Sequence, residues 1–356
     1  MITIIGSLNY DFVTFTSRVP DAGETIQGES FEQHIGGKGL NEAIAASRLL
    51  DRSEKNNEQS GDKPDREVRM WGKVGNDMFG DKMLKFLEDS KVKVDLVEKL
   101  DGVSSGSATI LVETLQQGEN RIVIIPGANG HLKPDHLEFS KTFENAKDGD
   151  FVIIQNEFPV PLESVNWIAT NKPELKIAYN PSPFKKELLD ADILDKLSYL
   201  IVNEGEAIDL INSVASNDRD GDDDFASNLD QLHKIKTEFS KISIRYAEKL
   251  ISIIRKILPN PELIITLGSK GCFYTENISN VFYQSSCKVA NVIDTTGAGD
   301  TFLGGVVSQL HNGNSMKDSI KFATVASSLV VQKKGAAESV PLHDEVLNEM
   351  KTVEFN

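Results

Sequence analysis

The sequence predicts an α/β fold: a Rossmann-like, mostly parallel sheet flanked by helices, with a small antiparallel β lid. Three observations carry this. Short β-branched runs alternate with helix-period segments over most of the chain. Those runs are almost wholly apolar, as strands covered on both faces should be. Two stretches, at about 10–33 and 103–126, break the rhythm with mixed polar and apolar side chains suited to strands exposed on one face.

In chain order, the spacing predicts a strand at 3–5, then helices over 39–50 and 77–89. Strand 151–155 is followed by helix 161–170, and strands 176–179 and 199–202 come next. A long periodic segment at 228–257 reads as helical, interrupted or continuous. Strand 263–267 and helix 298–310 complete the series, the helix with Phe302, Val306 and Leu310 recurring every fourth residue on one face. Segments 12–16, 26–31, 105–113 and 121–125, the last two around the turn Gln117-Gly118-Glu119-Asn120, would pair as the small sheet. The polar stretches 53–66 and 213–228 read as surface insertions, the second carrying Asp218, Asp220, Asp222, Asp223 and Asp224. One α/β domain over 1–356 accommodates all of this, without internal repeats.

Composition narrows the function. The 356 residues are 39% hydrophobic and 26% charged, enough apolar material for a large core. Lys plus Arg against Asp plus Glu is 38 − 54 = −16, so phosphate backbones and anionic lipid are repelled. Nucleic acid and membrane are thereby set aside as partners. No run of 18 apolar residues occurs, and no basic region precedes the first strand, so neither a transmembrane helix nor a signal peptide is expected. Two cysteines, Cys272 and Cys287, without metal-type spacing fit a reducing compartment, read as the cytoplasm with the nucleus also compatible.

The most informative motif is Asp294-Thr-Thr-Gly-Ala-Gly-Asp300, where two turn-forming glycines precede an acidic residue opening a helix. Backbone N–H groups of such a turn point one way, and the helix N-terminus adds partial positive charge, so the segment suits an anion. A carboxylate beside an anion is unfavourable unless it works as a base or holds a cation; an Asp favoured only by the helix dipole is the alternative. His34-Ile-Gly-Gly-Lys-Gly-Leu-Asn41 is not a phosphate-binding P-loop, because Gly39 follows Lys38 where Ser or Thr is required. It remains a close-approach loop with Lys38 and Asn41 as donors, or a plain glycine turn. Asn9 and Asp11, two apart after the first strand, face the same way on extended chain and could grip neighbouring hydroxyls, or form an Asx turn. Glu157, Asn203-Glu-Gly-Glu206 and Thr266-Leu-Gly-Ser-Lys-Gly271 likewise follow predicted strands. Convergent polar groups at five strand ends define a ligand crevice. The competing Gly102-Val-Ser-Ser-Gly106 matches a hydrolase nucleophile elbow, but the sequence after it is strand-like where a helix is needed. The six histidines form no zinc-protease pair.

These motifs, with Lys334-Gly-Ala-Ala-Glu-Ser339, resemble in order and type the ribokinase branch of the carbohydrate kinase superfamily, which also holds adenosine kinase and fructokinases. The resemblance spans about residues 2 to 345. It implies ATP-dependent phosphorylation of the 5-hydroxyl of D-ribose, with Asp300 as general base and the amides of Gly297, Ala298 and Gly299 as anion hole. By the same resemblance Asn9, Asp11, Gly37, Lys38, Gly39, Asn41 and Glu157 hold the sugar. Asn203, Thr266, Gly268, Ser269, Lys270, Gly271, Gly299 and Thr324 would line the ATP site, with Glu206 holding Mg²⁺ through water. A K⁺ site would use Asp294, Thr296, Val330, Lys333, Gly335 and Ser339, and the lid would serve as the contact of a homodimer. A sister kinase acting on fructose or adenosine, or a sugar-binding protein without catalysis, would share part of this pattern.

Overall fold

The computed structural model describes residues 1–52, 66–116, 119–215, 244–277 and 280–356. Strands are numbered in chain order. A nine-stranded sheet is built from β1 (Ile2–Ile5), β4 (Val68–Gly75), β5 (Val92–Leu100), β8 (Phe151–Gln155), β9 (Lys176–Asn180), β10 (Tyr199–Asn203), β11 (Glu262–Thr266), β12 (Cys272–Glu276) and β13 (Asn280–Gln284). Its spatial order is β13-β12-β11-β10-β9-β8-β1-β4-β5. From β5 to β11 neighbouring strands are parallel, and β12 and β13 close the other edge antiparallel.

Successive residues of the central strands feed two different cores. Ile4 and Ile153 face one side with Leu40, Ile44, Phe302, Val306 and Ile320. Ile5, Val152 and Ile154 face the other with Val165, Ile168, Leu210 and Ile254. Each such fully buried aliphatic side chain stabilises by ~1.5–3 kcal/mol, which is why the sequence writes these strands without alternation. Helices Lys38–Leu49, Ala298–His311 and Met316–Val330 cover the first face.

The predicted elements recur with shifts of a residue or two. Asp77 is the N-cap of helix Met78–Asp89, its Oδ1 accepting from the Phe79 and Gly80 N–H groups at 3.1 and 2.8 Å. The long helical segment is described as Ile244–Ile257. The expected insertions lie largely outside the described residues, at 53–65 and 216–228, as do 117–118 of the expected turn.

The small sheet departs from expectation in two ways. It comprises β2 (Asn9–Thr16), β3 (Ser30–Gly36), β6 (Gly106–Glu113) and β7 (Glu119–Ile125), in the order β3-β2-β6-β7. Its central pair, β2 and β6, is parallel, so the sheet is mixed and not antiparallel throughout. The cause is directional: β2 continues from β1 and β6 from β5, two strands that already run the same way in the large sheet. The second departure is β3, which lies at Ser30–Gly36 instead of 26–31 and carries the glycine of the following loop as its last paired residue, Gly36 opposite Asn9. Strand β6 directly follows Ser105, which removes the hydrolase reading of Gly102–Gly106.

Candidate active site

Polar side chains converge where β1, β8 and β10 end. Between β1 and β2 only Gly6, Ser7 and Leu8 intervene. Asn9 opens β2 almost fully buried, and its Oδ1 accepts a hydrogen bond from Asn129 Nδ2 at 2.8 Å. Asn129 also brackets Leu8, accepting from its N–H at 2.9 Å and donating to its carbonyl at 3.1 Å. Gly106, at the start of β6, leaves room for this node, since a Cβ there would lie 2.1 Å from Asn129 Nδ2. With its oxygen engaged, Asn9 has its amide donors to offer.

Asp11 sits on the same face of β2, paired across to His34 on β3. Burial, with the Glu157 and Glu338 carboxylates adding to it against His34, pushes the Asp11 carboxyl up to about 7.

The turn into helix Lys38–Leu49 requires glycine. Gly37 has φ 89°, and a Cβ on it would lie 2.7 Å from the Asn9 nitrogen. The turn aims the Lys38 N–H at Glu157 Oε2, 3.0 Å away, and the Ser7 hydroxyl donates to the same oxygen. Lys38 Nζ lies 3.6 Å from Asp300 Oδ1, and Asn41 Nδ2 donates to Asp300 Oδ2 at 2.7 Å. Burial opposes the Lys38 charge, but Asp300, Glu157, Glu42 and Glu206 outweigh it and hold the ammonium well above its ordinary range. Residue 300 therefore meets the 9–41 region directly, across some 260 residues of sequence.

Asp300 belongs to the first turn of helix Ala298–His311, entered through Gly297 in the left-handed region at φ 74°. The Ala298 N–H bonds the Thr295 carbonyl at 3.3 Å and the Thr301 N–H bonds Gly297 at 2.8 Å. The amides of Gly299 and Asp300 between them take no backbone partner, and a Cβ at 299 would meet nothing within 4 Å. Just upstream, Asp294 Oδ1 accepts from Thr296 N–H and Oγ1 at 2.9 and 2.7 Å, and Oδ2 from the Gly335 N–H at 3.0 Å. Burial works against the Asp294 charge, yet these donors keep its carboxyl below the ordinary range. Val330, Lys333 and Ser339 lie on the segment adjoining Gly335. There the Val330 carbonyl accepts from Lys333 N–H at 3.0 Å and Ser339 Oγ donates to Ala336 at 2.8 Å.

Asn203 and Glu206 cap helix Glu204–Ala215 reciprocally: Glu206 N–H donates to Asn203 Oδ1 at 2.8 Å, Asn203 N–H to Glu206 Oε2 at 2.9 Å. Glu206 Oε1 takes no part in this cap, and Lys38 senses the carboxylate's charge. Thr266 ends β11 with its hydroxyl 3.5 Å from the Val202 carbonyl. The turn Gly268–Lys270, closed by Gly271, accepts hydrogen bonds from Tyr283 to the Lys270 carbonyl and from Ser286 to that of Ser269, at 2.6 and 2.5 Å. Thr324, on helix Met316–Val330, donates its hydroxyl to the Ile320 carbonyl of the same helix at 2.8 Å. Among the described residues no group of three or more His, Cys, Asp or Glu could enclose a metal ion. A lone carboxylate such as Glu206 suits Mg²⁺ that keeps its waters and phosphate ligands, and the ionised Asp294 with nearby main-chain oxygens suits a monovalent cation.

Sequence reasoning missed Ser7, Asn129 and the buried pair Glu42 and Gln155. Asn129 had a signal: Pro126-Gly-Ala-Asn-Gly130 is a polar glycine cluster directly after a strand. Ser7 and Gln155 flank motifs already recognised, and only the fold reveals that they turn inward.

An α/β protein with a glycine-turned helix start facing a Lys and a carboxylate is built for phosphoryl transfer. The chain belongs to the pfkB family of carbohydrate kinases, whose model matches residues 1–343. It is 36% identical over 344 residues to a Schizosaccharomyces pombe ribokinase, covering 96% of this chain and 94% of that one. Among solved structures, the ribokinase of Cryptococcus neoformans var. grubii serotype A in complex with ADP superposes with TM-score 0.72 at 29% identity, covering 98% and 99% of the chains. Arabidopsis thaliana ribokinase complexed with ribose and ATP gives 0.77 at 25% identity over 98% of each.

Proposed function

We propose that this protein transfers the γ-phosphoryl group of ATP to the 5-hydroxyl of D-ribose. The observation that carries it is the meeting of Asp300 with Lys38 and Asn41 at an open helix N-terminus, in a chain that matches ribokinases along its length. Asn9, Asp11, Gly37, Gly39, Asn41 and Glu157 hold the sugar hydroxyls, with Asn129 fixing Asn9 and Ser7 fixing Glu157. Asp300 accepts the proton of the attacking hydroxyl while the amides of Gly297, Ala298 and Gly299 stabilise the moving phosphoryl, the Ala298 N–H leaving the Thr295 carbonyl to do so. The proton transfer accounts for ~10²–10⁴ in rate. Lys38 balances charge that accumulates beside Asp300. Asn203, Thr266, the turn Gly268–Gly271 and Thr324 border the nucleotide, and Glu206 would hold Mg²⁺ through water, the ion supplying positive charge against the phosphates. Asp294, Thr296, Val330, Lys333, Gly335 and Ser339 would hold K⁺, whose charge would steady the loop that carries the anion hole.

The small sheet acts as lid and as homodimer contact. Its edge strand β7 exposes Ile122, Val123, Ile124 and Ile125 in succession, each about half accessible. Such an apolar edge is a pairing surface unless covered. A single catalytic domain with this lid, working in the cytoplasm, completes the reading; among the described residues no helix is long and apolar enough to cross a membrane.

The test is ADP formation on D-ribose, D-fructose and adenosine with wild type and Asp300→Asn. D-ribose should be the preferred substrate. The variant should keep sugar and ATP binding but lose at least ~10² in turnover. A wild-type rate in the variant removes Asp300 from its role, and preference for another acceptor reassigns the substrate.

A further inference from the structure

Beneath the site lies a carboxyl that the reaction does not use. Glu42, on helix Lys38–Leu49, and Gln155, the last residue of β8, are both 0% exposed. Gln155 Nε2 donates to Glu42 Oε2. The other two oxygens, Glu42 Oε1 and Gln155 Oε1, are buried without a hydrogen-bond partner. Both accept only, if Glu42 is ionised, so an ionised pair leaves two acceptors dry at once. Gly6 makes the room they occupy, for a Cβ there would lie 2.0 Å from Gln155 Oε1.

We propose that Glu42 carries a proton on Oε1 and donates it to Gln155 Oε1, closing a neutral acid–amide pair held by two hydrogen bonds. One proton then satisfies both orphaned oxygens. The pair joins the start of the helix bearing Lys38 and Asn41 to the end of the strand that leads to Glu157, and Glu42 is a positioning residue for those groups. Its surroundings agree. The charged groups facing Glu42 are Asp300 from helix Ala298–His311, Glu157 beyond β8, and Lys38 on its own helix. Burial first, then Asp300 and Glu157, raise the Glu42 carboxyl well above its ordinary range, against Lys38 and the Gln155 hydrogen bond. A third negative charge there would oppose Asp300, Glu157 and an incoming polyphosphate, with Lys38 to offset them.

The protonation is tested on unmodified protein labelled with ¹³C at glutamate side-chain carboxyls, by infrared spectroscopy at pH 8. A protonated glutamic acid carbonyl band is expected, and its absence overturns the proposal whether or not the enzyme phosphorylates ribose. The positioning role rests on the proposed reaction and has its own test. Glu42→Gln, which can rebuild a two-way amide pair, should keep kcat within ~3-fold and flatten the alkaline limb of the pH profile. Glu42→Leu should raise the sugar KM or lower kcat by ~10-fold or more, as loosened positioning does. A folded Glu42→Gln that is as impaired as Glu42→Leu, or that titrates like wild type, overturns that role. Failure of the ribose reaction in wild type would instead count against the functional reading.

Discussion

Asp11→Asn should make the ligand-free protein more stable while weakening its hold on sugar. Burial and the Glu157 carboxylate raise the Asp11 carboxyl from an ordinary 3.8 to about 7. The folded protein thus keeps a proton that the unfolded chain releases near pH 4. The stability this proton contributes is complete below that pH and is lost as pH rises to about 7. Over that interval the loss corresponds to ~4 kcal/mol, or ~2 kcal/mol after allowing for the water that still reaches the side chain. Asparagine imitates the protonated form at every pH. The variant should therefore gain ~2–4 kcal/mol over wild type at pH 8, with less than half of that gain remaining at pH 5. Urea unfolding at both values, followed through the buried Trp71 and its companion Trp167, reads the difference. The reasoning is refuted by a variant no more stable than wild type at pH 8, or by an equal advantage at both values. If Asp11 grips the sugar as proposed, its two ionised oxygens accept from hydroxyls better than an amide does, so the same variant should lose sugar affinity.

Other perturbations follow from the same geometry. Asn129→Ala strands the Leu8 N–H and carbonyl and the Asn9 oxygen, and should cost ~2–4 kcal/mol in denaturant titration while raising the sugar KM; unchanged stability would mean that water replaces Asn129. Ile124→Glu on the exposed edge should shift the protein to monomers in sedimentation velocity; a dimer that survives must be built elsewhere. Replacing K⁺ by Na⁺ should lower the rate without changing the melting temperature by more than a degree or two, and equal rates would dismiss the cation site.

Much of this was readable before any coordinates. Strands β1, β8, β9, β10 and β11 were legible because burial on both faces writes an uninterrupted apolar run, and the motifs stood out because each follows such a run. Strand β5 was not, since Val92-Lys-Val-Asp-Leu-Val-Glu-Lys-Leu100 lies at the sheet edge and is half polar. The parallel pairing of β2 with β6 is a property of two distant departures from the large sheet, which no local pattern encodes. Asp300, Lys38 and Asn41 could be named from sequence, but their contact could not. The reciprocal cap formed by Asn203 and Glu206 shows that a motif read from sequence as a ligand-binding pair also starts a helix. Ser7 was hidden because its hydroxyl serves to hold Glu157, which leaves no spacing signature, whereas Asn129 lay in a glycine cluster after a strand that could have been read.

The four strands of the small sheet meet at the Leu8–Asn9–Asn129 node: β2 and β6 begin there, β3 ends there with Gly36 opposite Asn9, and β7 ends a few residues short of it. That gives the cover a fulcrum. Thr16, at the free end of β2, is seven residues further on, or ~23 Å at ~3.3 Å per residue. A swing of ~10° about the fulcrum sweeps this tip through ~4 Å while displacing the Asp11 backbone by only ~1 Å. A hinge placed there would let the far end of the small sheet move by several ångströms while the Asn9–Asp11 backbone stays almost in place.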